Sequence, residues 1–311
     1  IKNYNKYMSG NHSHSHNHNS KNQDMGSAFA WGVGLNSIFI ITEIVFGIIS
    51  GSVALIADAI HNLSDVIGLV ISWIAMIIAK RSPKGSYTYG YRSATILSVL
   101  LSTAILFVAV GGIVWSAIDR IGKPAEINSL TVMAVAGIGI VINGISAWLL
   151  SRGKKDLNVR SAFLHLVADA AVSAGVVVAA IIIYYTGWSI LDPIISLVIS
   201  GVVLWSGWGV LKDAVHLSLS AVPKSVPLAE LKDYLQNIKG VSKVHDIHVW
   251  PISTTEIAMT VHLVMPSHQG DDAFLHTVCH ELKNRFGIEH ATIQVENGVG
   301  PECDLESDLV V

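Results

Sequence analysis

Charge is scarce in this chain, and its scarcity is uneven. Only 14% of the 311 residues are Asp, Glu, Lys or Arg, against 51% hydrophobic residues and a mean hydropathy of +0.52. An average soluble domain is about one quarter charged, so an ordinary soluble globule is excluded. Residues 28–218 hold 20 of the 43 charged side chains and residues 219–311 hold 19; a membrane part precedes a water-soluble part. Bases are few in that second part, 6 against 13 acids, which makes nucleic acid a poor partner. Cysteine is almost missing. Cys279 and Cys303 are the whole complement, too few for a disulfide framework and suited to a reducing compartment. No Walker phosphate-binding motif occurs, so an ion gradient rather than ATP is the expected energy source, and no HExxH motif occurs, which disfavours a zinc hydrolase.

Long apolar runs are what the chain has instead. A helix needs about 20 apolar residues to cross a bilayer, and six such spans are predicted at 28–50, 53–79, 93–119, 127–150, 159–186 and 190–214. Bases gather on alternate connections: Lys80, Arg81, Lys84 and Arg92 follow the second span, and Arg152, Lys154, Lys155 and Arg160 follow the fourth. The positive-inside rule then predicts both termini in the cytoplasm. The opening is polar and the first span full length, so no cleavable signal peptide is expected, and Met8 is a candidate start. Gly137, Gly139, Gly144, Gly201 and Gly207 in spans four and six are expected to allow close helix approach.

Ionisable groups at membrane depth are costly and mark functional positions. Span two reads ALIADAIHNLSDVIG, placing His61 and Asp65 four residues apart on one face, with Asp58 a turn back on the same side. Span five repeats the spacing in AFLHLVADAAVS with His165 and Asp169. Two such helices close a site of two imidazole nitrogens and two carboxylate oxygens, whose net charge of −2 a divalent cation balances. A four-ligand N/O set suits tetrahedral Zn²⁺, whereas all-oxygen sets suit Mg²⁺, Ca²⁺ or Mn²⁺. The alternative is that these groups only hydrogen-bond the bundle together. Behind them stand Asn36, Glu43, Asn62 and Asn143. Asp58 and Asn62 are positioned to orient ligands or pass protons, and Glu43 either does the same or stays protonated or locally paired. Asp192, just before Pro193, reads as a cap at the start of span six.

The segments LNSIFIITEIVFGIISGSVALIADAIHNLSDV, YGYRSATILSVL, NVRSAFLHLVADA and LDPIISLVIS resemble the cation diffusion facilitator family, the zinc and cobalt type of metal:proton antiporter. The resemblance runs from residue 31 to residue 297. It implies an α-helical membrane protein of six transmembrane helices followed by a C-terminal α+β ferredoxin-like cytoplasmic domain. The implied division is a disordered His-rich cytoplasmic tail at 1–27, a transmembrane domain at 28–218, a metal-binding and dimerisation domain at 219–297, and an acidic tail at 298–311. It further implies a homodimeric inner-membrane exporter of Zn²⁺, and of Co²⁺- or Cd²⁺-like cations, coupled to H⁺. The transport site is then His61, Asp65, His165 and Asp169.

In the soluble part, helices are predicted at 227–239 and 271–286 and strands at 244–251, 256–265 and 291–296. Seven of the 14 histidines fall here: His245, His248, His262, His268, His276, His280 and His290. His245 and His262 lie on neighbouring predicted strands, Glu296 ends the third, and Cys303 follows in the tail. The resemblance implies regulatory Zn²⁺ at His245, His262 and Glu296, with His280 and Cys303 as additions; half-exposed strand histidines without metal are the alternative. His12, His14, His16 and His18 sit in a run too polar to fold, suited to weak metal capture, with a purification tag as the rival reading. Two departures from the family pattern stand out. The connection RSPKGSYTYGYR contains no histidine, so no metal site is expected there, and Ser220 stands where relatives often carry an acid.

Two other function classes fit parts of the sequence. An intramembrane zinc-dependent hydrolase needs an open coordination position, which four symmetric ligands do not leave. A membrane-anchored metal sensor leaves His and Asp at bilayer depth unexplained.

Overall fold

The computed structural model describes residues 37–123, 126–151, 157–267 and 271–298. Its membrane part is built of α1 (Ser37–Ser50), α2 (Val53–Ala79), α3 (Ala94–Arg120), α4 (Ser129–Leu150), α5 (Leu157–Thr186) and α6 (Leu191–Ser218). Helices α2 to α6 are long and apolar enough to span a membrane, and α1 is shorter over its described residues. Local chemistry sets the boundaries. Ser52 accepts from the Leu55 N–H to start α2, and Asn128 accepts from Thr131 N–H to start α4. Helix α6 outlasts its expected end at 214 by four residues, and the chain leaves it through Ser220, whose φ of 58° is left-handed.

Helices α2, α3 and α6 pack as one group and α4 packs along α5, while α2 and α5 meet only sparsely. Leu55, Val110, Ala117, Ala136, Val176, Ala180 and Val203 form the interior, and Trp73, Val108, Trp115, Tyr185 and Trp205 point outward, as lipid-facing side chains do. Of the five glycines expected at close contacts, two have them. A Cβ at Gly139 would stand 2.9 Å from Phe39 and 3.2 Å from Ser173, and one at Gly207 would stand 3.1 Å from Phe107; Gly137, Gly144 and Gly201 have open space.

Asp192 is a cap, but of another helix. Its carboxylate accepts from the Ser52 hydroxyl, from Val53 N–H at 2.7 Å and from Ala54 N–H at 3.3 Å. It therefore caps α2 rather than its own α6, because the first N–H groups of α2 are buried and have no intrahelical acceptor. Arg120, at the end of α3, donates to the Gly51 carbonyl beside it, so the ends of three helices are tied together.

The second part runs α7 (Leu228–Gln236), β1 (Lys243–Pro251), β2 (Ile257–Val264), α8 (Asp272–Phe286) and β3 (Ile288–Glu296). The strands form one sheet in the order β1-β2-β3, antiparallel between β1 and β2 and parallel between β2 and β3. Leu231, Leu235, Met259, Val261, Leu263, Leu282 and Ile288 fill its core, each large side chain contributing about 1.5–3 kcal/mol on burial. Asp271 caps α8 by accepting from Phe274 N–H, and Gly287 ends it at φ 69°. Strand β3 therefore starts at Ile288, three residues before its expected start, and Ile288 is buried opposite Ile257.

The turn between β1 and β2 rests on the start of α3. Glu256 pairs with Arg92, Ser93 Oγ donates to the Ile252 carbonyl at 3.1 Å, and Thr254 N–H donates to Thr95 Oγ1 at 3.1 Å. Tyr89 meets His290 edge-on at 5.5 Å.

Candidate metal sites

The i,i+4 pairs of α2 and α5 come together across the sparse seam between those helices. His61 Nε2 lies 3.4 Å from Asp169 Oδ1 and 3.9 Å from Asp65 Oδ2, while His165 Nε2 lies 3.2 Å from Asp65 Oδ2 and 3.6 Å from Asp169 Oδ2. The imidazoles stand edge to face, 6.1 Å apart. A cation holding N and O ligands tetrahedrally at about 2.0–2.1 Å separates neighbouring ligands by about 3.3 Å. The four His–carboxylate separations lie near that value, but the four residues do not bring one ligand atom each within 4.8 Å of one another, as the cluster in the sheet does. Burial is graded: the side chain of Asp169 is 7% exposed and that of His165 is 50% exposed, so the group is enclosed at Asp169 and open at His165.

Behind the four lies a second polar layer. Ser173, one turn beyond Asp169 on α5, donates to Asp58 Oδ2 at 2.7 Å. Asn62 donates to Glu43 Oε2 at 3.1 Å, and Asn143 is buried. Among the described residues, the buried side-chain atoms without a hydrogen-bond partner are Glu43 Oε1, Asp58 Oδ1, His61 Nδ1, Ser196 Oγ and Ser200 Oγ. Leaving such an atom unpaired costs about 1–3 kcal/mol, and three of the five adjoin the His/Asp group. Ser173, Ser196 and Ser200 escaped the sequence reading because a serine in a membrane helix carries no charge to mark it.

In the sheet, His245 and His262 are direct partners in the antiparallel register of β1 and β2. Their rings stand edge to face at 5.0 Å. Glu296 closes the group from the end of β3, with Oε2 3.1 Å from His245 Nε2 and Oε1 3.0 Å from His262 Nδ1. Among the described residues, these are the three metal-capable side chains whose ligand atoms all lie within 4.8 Å of one another. Burial acts to raise the Glu296 pKa, but hydrogen bonds from His245 and Gln294 and the charge of the two imidazoles outweigh it and hold the carboxyl below its usual range.

Asp246 joins this cluster unforeseen. Strict alternation turns it to the opposite face from His245, but the register is irregular between His245 and His248 and Asp246 has a φ of 48°. Its carboxylate thereby reaches His262 Nε2 at 3.3 Å and His248 Nε2 at 2.8 Å. An aspartate tolerates the left-handed region better than most residues, the one signal the sequence offered. His280 stands apart from the cluster: it is exposed on α8, stacked on His276 and 3.0 Å from Asn284 Nδ2. Cys303, Asn36, His12, His14, His16 and His18 lie outside the described residues.

Comparison with known proteins agrees across both parts of the chain. The model of the cation efflux transmembrane domain matches residues 31–217, and that of the cation efflux protein cytoplasmic domain matches residues 223–298. The zinc transporter ZitB of Escherichia coli (strain K12) is 39% identical over 285 residues, covering 90% of each chain. The cadmium, cobalt and zinc/H(+)-K(+) antiporter of Bacillus subtilis (strain 168) is 31% identical, covering 83% of this chain and 85% of its own. The metal cation efflux system protein CzcD of Cupriavidus metallidurans is 35% identical, covering 85% and 84%.

Proposed function

The chain belongs to the cation efflux family, and from that premise we propose that it exports Zn²⁺ from the cytoplasm in exchange for H⁺, through His61, Asp65, His165 and Asp169. It is an integral membrane secondary transporter rather than an enzyme, so the hydrolase reading falls away. The observation that supports the site assignment is that the two i,i+4 pairs face each other across α2 and α5, with each imidazole 3.2–3.4 Å from the carboxylate of the opposite helix. Ligand atoms must be deprotonated to hold metal, so protons and Zn²⁺ compete for the same four side chains. Exchange follows when the site faces each side in turn, and the sparse α2–α5 seam is where the helices can part. Co²⁺ and Cd²⁺ share this ligand chemistry and are expected as lesser substrates.

The wider arrangement follows the same reading. Six spans, the first read from the sequence at 28–50, place both termini in the cytoplasm of an inner-membrane homodimer. The domain limits are 28–218 for the membrane part and 219–297 for the cytoplasmic part, with tails at 1–27 and 298–311. The α-β-β-α-β order of the cytoplasmic part is the ferredoxin-like sequence of elements less its first strand. Regulatory Zn²⁺ is assigned to His245, His262 and Glu296, with Cys303 a further ligand. His280 joins that metal only through movement of α8 or from a second copy, and His12, His14, His16 and His18 collect Zn²⁺ weakly.

The deciding experiment is Zn²⁺ flux in proteoliposomes under an imposed pH gradient. Zn²⁺ movement that follows the gradient and stops when it is collapsed is the expected result. Zn²⁺ binding without gradient-driven movement would favour the membrane-anchored sensor.

A further inference from the structure

We infer that Asp58 is a positioning residue for His61: its free carboxylate oxygen takes the Nδ1–H of the imidazole and so presents Nε2 to the cation. The inference rests on the reading of His61, Asp65, His165 and Asp169 as cation ligands. In that reading His61 Nε2 is the ligand atom, since it is the nitrogen that faces Asp169 and Asp65. A neutral imidazole that offers its Nε2 lone pair carries its proton on Nδ1. That nitrogen is buried and has no partner. Asp58 is the complement. It is fully buried, its Oδ2 accepts from Ser173, and its Oδ1 has no donor.

Position selects Asp58 over the other unpaired carboxylate, Glu43. Along the seam, Asp65 faces His165, His61 faces Asp169 and Asp58 faces Ser173. These rungs ascend one helix as they descend the other, so Asp58 lies in the next rung behind His61, one turn away on the same helix. Glu43 belongs to α1 and is tied to Asn62, which projects from a different side of α2. Gly139 supports the arrangement, since any larger side chain there would press on the Ser173 hydroxyl at 3.2 Å. Asp58 Oδ1 and His61 Nδ1 are not bonded to each other in this structure; with Ser173 holding Oδ2, the positioning role requires Asp58 Oδ1 to take the Nδ1–H.

The two histidines are therefore unequal. His165 is half exposed, whereas His61 Nδ1 is enclosed and depends on the protein for a partner. A carboxylate on the far N–H fixes the tautomer and raises the basicity of the metal-bound nitrogen, and its loss weakens metal binding by about 10–100-fold.

The test uses full-length protein, with Zn²⁺ flux measured in proteoliposomes and ¹⁵N-histidine spectra recorded in detergent, the His61 signal being identified by its loss in His61→Gln. Asp58→Ala is expected to raise KM for Zn²⁺ about 10–100-fold with a smaller change in kcat, and to convert His61 from a single Nδ1–H tautomer to a mixture. Asp58→Asn keeps an acceptor oxygen and is expected to keep that tautomer and most of the affinity. An unchanged His61 signal in Asp58→Ala, or equal effects of Ala and Asn on signal and KM, overturns the inference. Should Asp58→Ala fail to fold, Asp58→Leu, which fills the space but offers no acceptor, takes its place, and an unchanged His61 signal in that variant contradicts the inference. His61→Gln with an unchanged KM would instead sink the four-ligand reading itself.

Discussion

His61 on α2 stands closer to Asp169 on α5, at 3.4 Å, than to Asp65 on its own helix, at 3.9 Å. His165 repeats the preference, 3.2 Å to Asp65 against 3.6 Å to Asp169. Each imidazole thus pairs with the carboxylate of the opposite helix. Those pairs bridge the seam where α2 and α5 meet only sparsely.

The first prediction concerns the carboxylates. Asp65→Ala or Asp169→Ala removes an anionic ligand and one of the two cross-helix pairs. Flux is expected to fall to background, a loss beyond the 10–100-fold typical of groups that merely support a ligand, while the protein stays folded and dimeric by size-exclusion chromatography. Normal transport by either variant would sink the four-ligand site.

A second prediction concerns metal choice. His61→Asp with His165→Asp replaces both nitrogens by oxygens, and an all-oxygen set favours Mn²⁺ relative to Zn²⁺. Competition between the two ions for flux measures the shift, and an unchanged Zn²⁺/Mn²⁺ ratio would mean that the histidines do not set selectivity.

Legibility in the sequence tracked the range of the interaction. The pairs His61/Asp65 and His165/Asp169 were readable because helical periodicity alone puts positions i and i+4 on one face. His245 and His262 were readable as neighbours on paired strands. Asp246 was not, because one irregularity in β1 turns its side chain and no periodicity records an irregularity. Asp192 was recognised as a cap but given to the wrong helix, since Ser52 and Val53 lie 140 and 139 positions away. The contact of Glu256 with Arg92, across 164 positions, is of the same kind: two ordinary surface charges whose meeting only the fold decides.

The third prediction is a pH dependence in the sheet. The Glu296 carboxyl is held below its usual range despite burial, by hydrogen bonds from His245 and Gln294 and by the imidazole charges. A group whose pKa is lower folded than unfolded contributes stability in full above its unfolded value, about 4.3 for glutamate, and loses it as pH falls through the depressed folded value. In chelator-treated protein, hydrogen-exchange protection of β1 to β3 is expected to decline below that range, and Glu296→Gln to flatten the decline. Zn²⁺ at neutral pH should protect the same strands. Identical acid profiles for Glu296→Gln and wild type would remove Glu296 as the responsible group.

The last prediction concerns the junction of α2 and α6. Asp192 accepts from Ser52 Oγ, Val53 N–H and Ala54 N–H, and Ser52 Oγ in turn accepts from Leu55 N–H at 3.1 Å. All of these groups are buried. Asp192→Ala is expected to cost about 1–3 kcal/mol, the range for buried donors stripped of an acceptor, and to lower the melting temperature in detergent. Asp192→Asn keeps one acceptor oxygen and should fall between the two. Ser52→Ala removes a donor to Asp192 together with the Leu55 cap, worth about 0.5–2 kcal/mol. Because the two side chains share one network, the double variant should lose less than the sum of the singles. Exchange at the first turn of α2 should rise in each variant, while the first turn of α6 stays protected. The opposite pattern, with α6 fraying and α2 intact, would return the cap to its own helix.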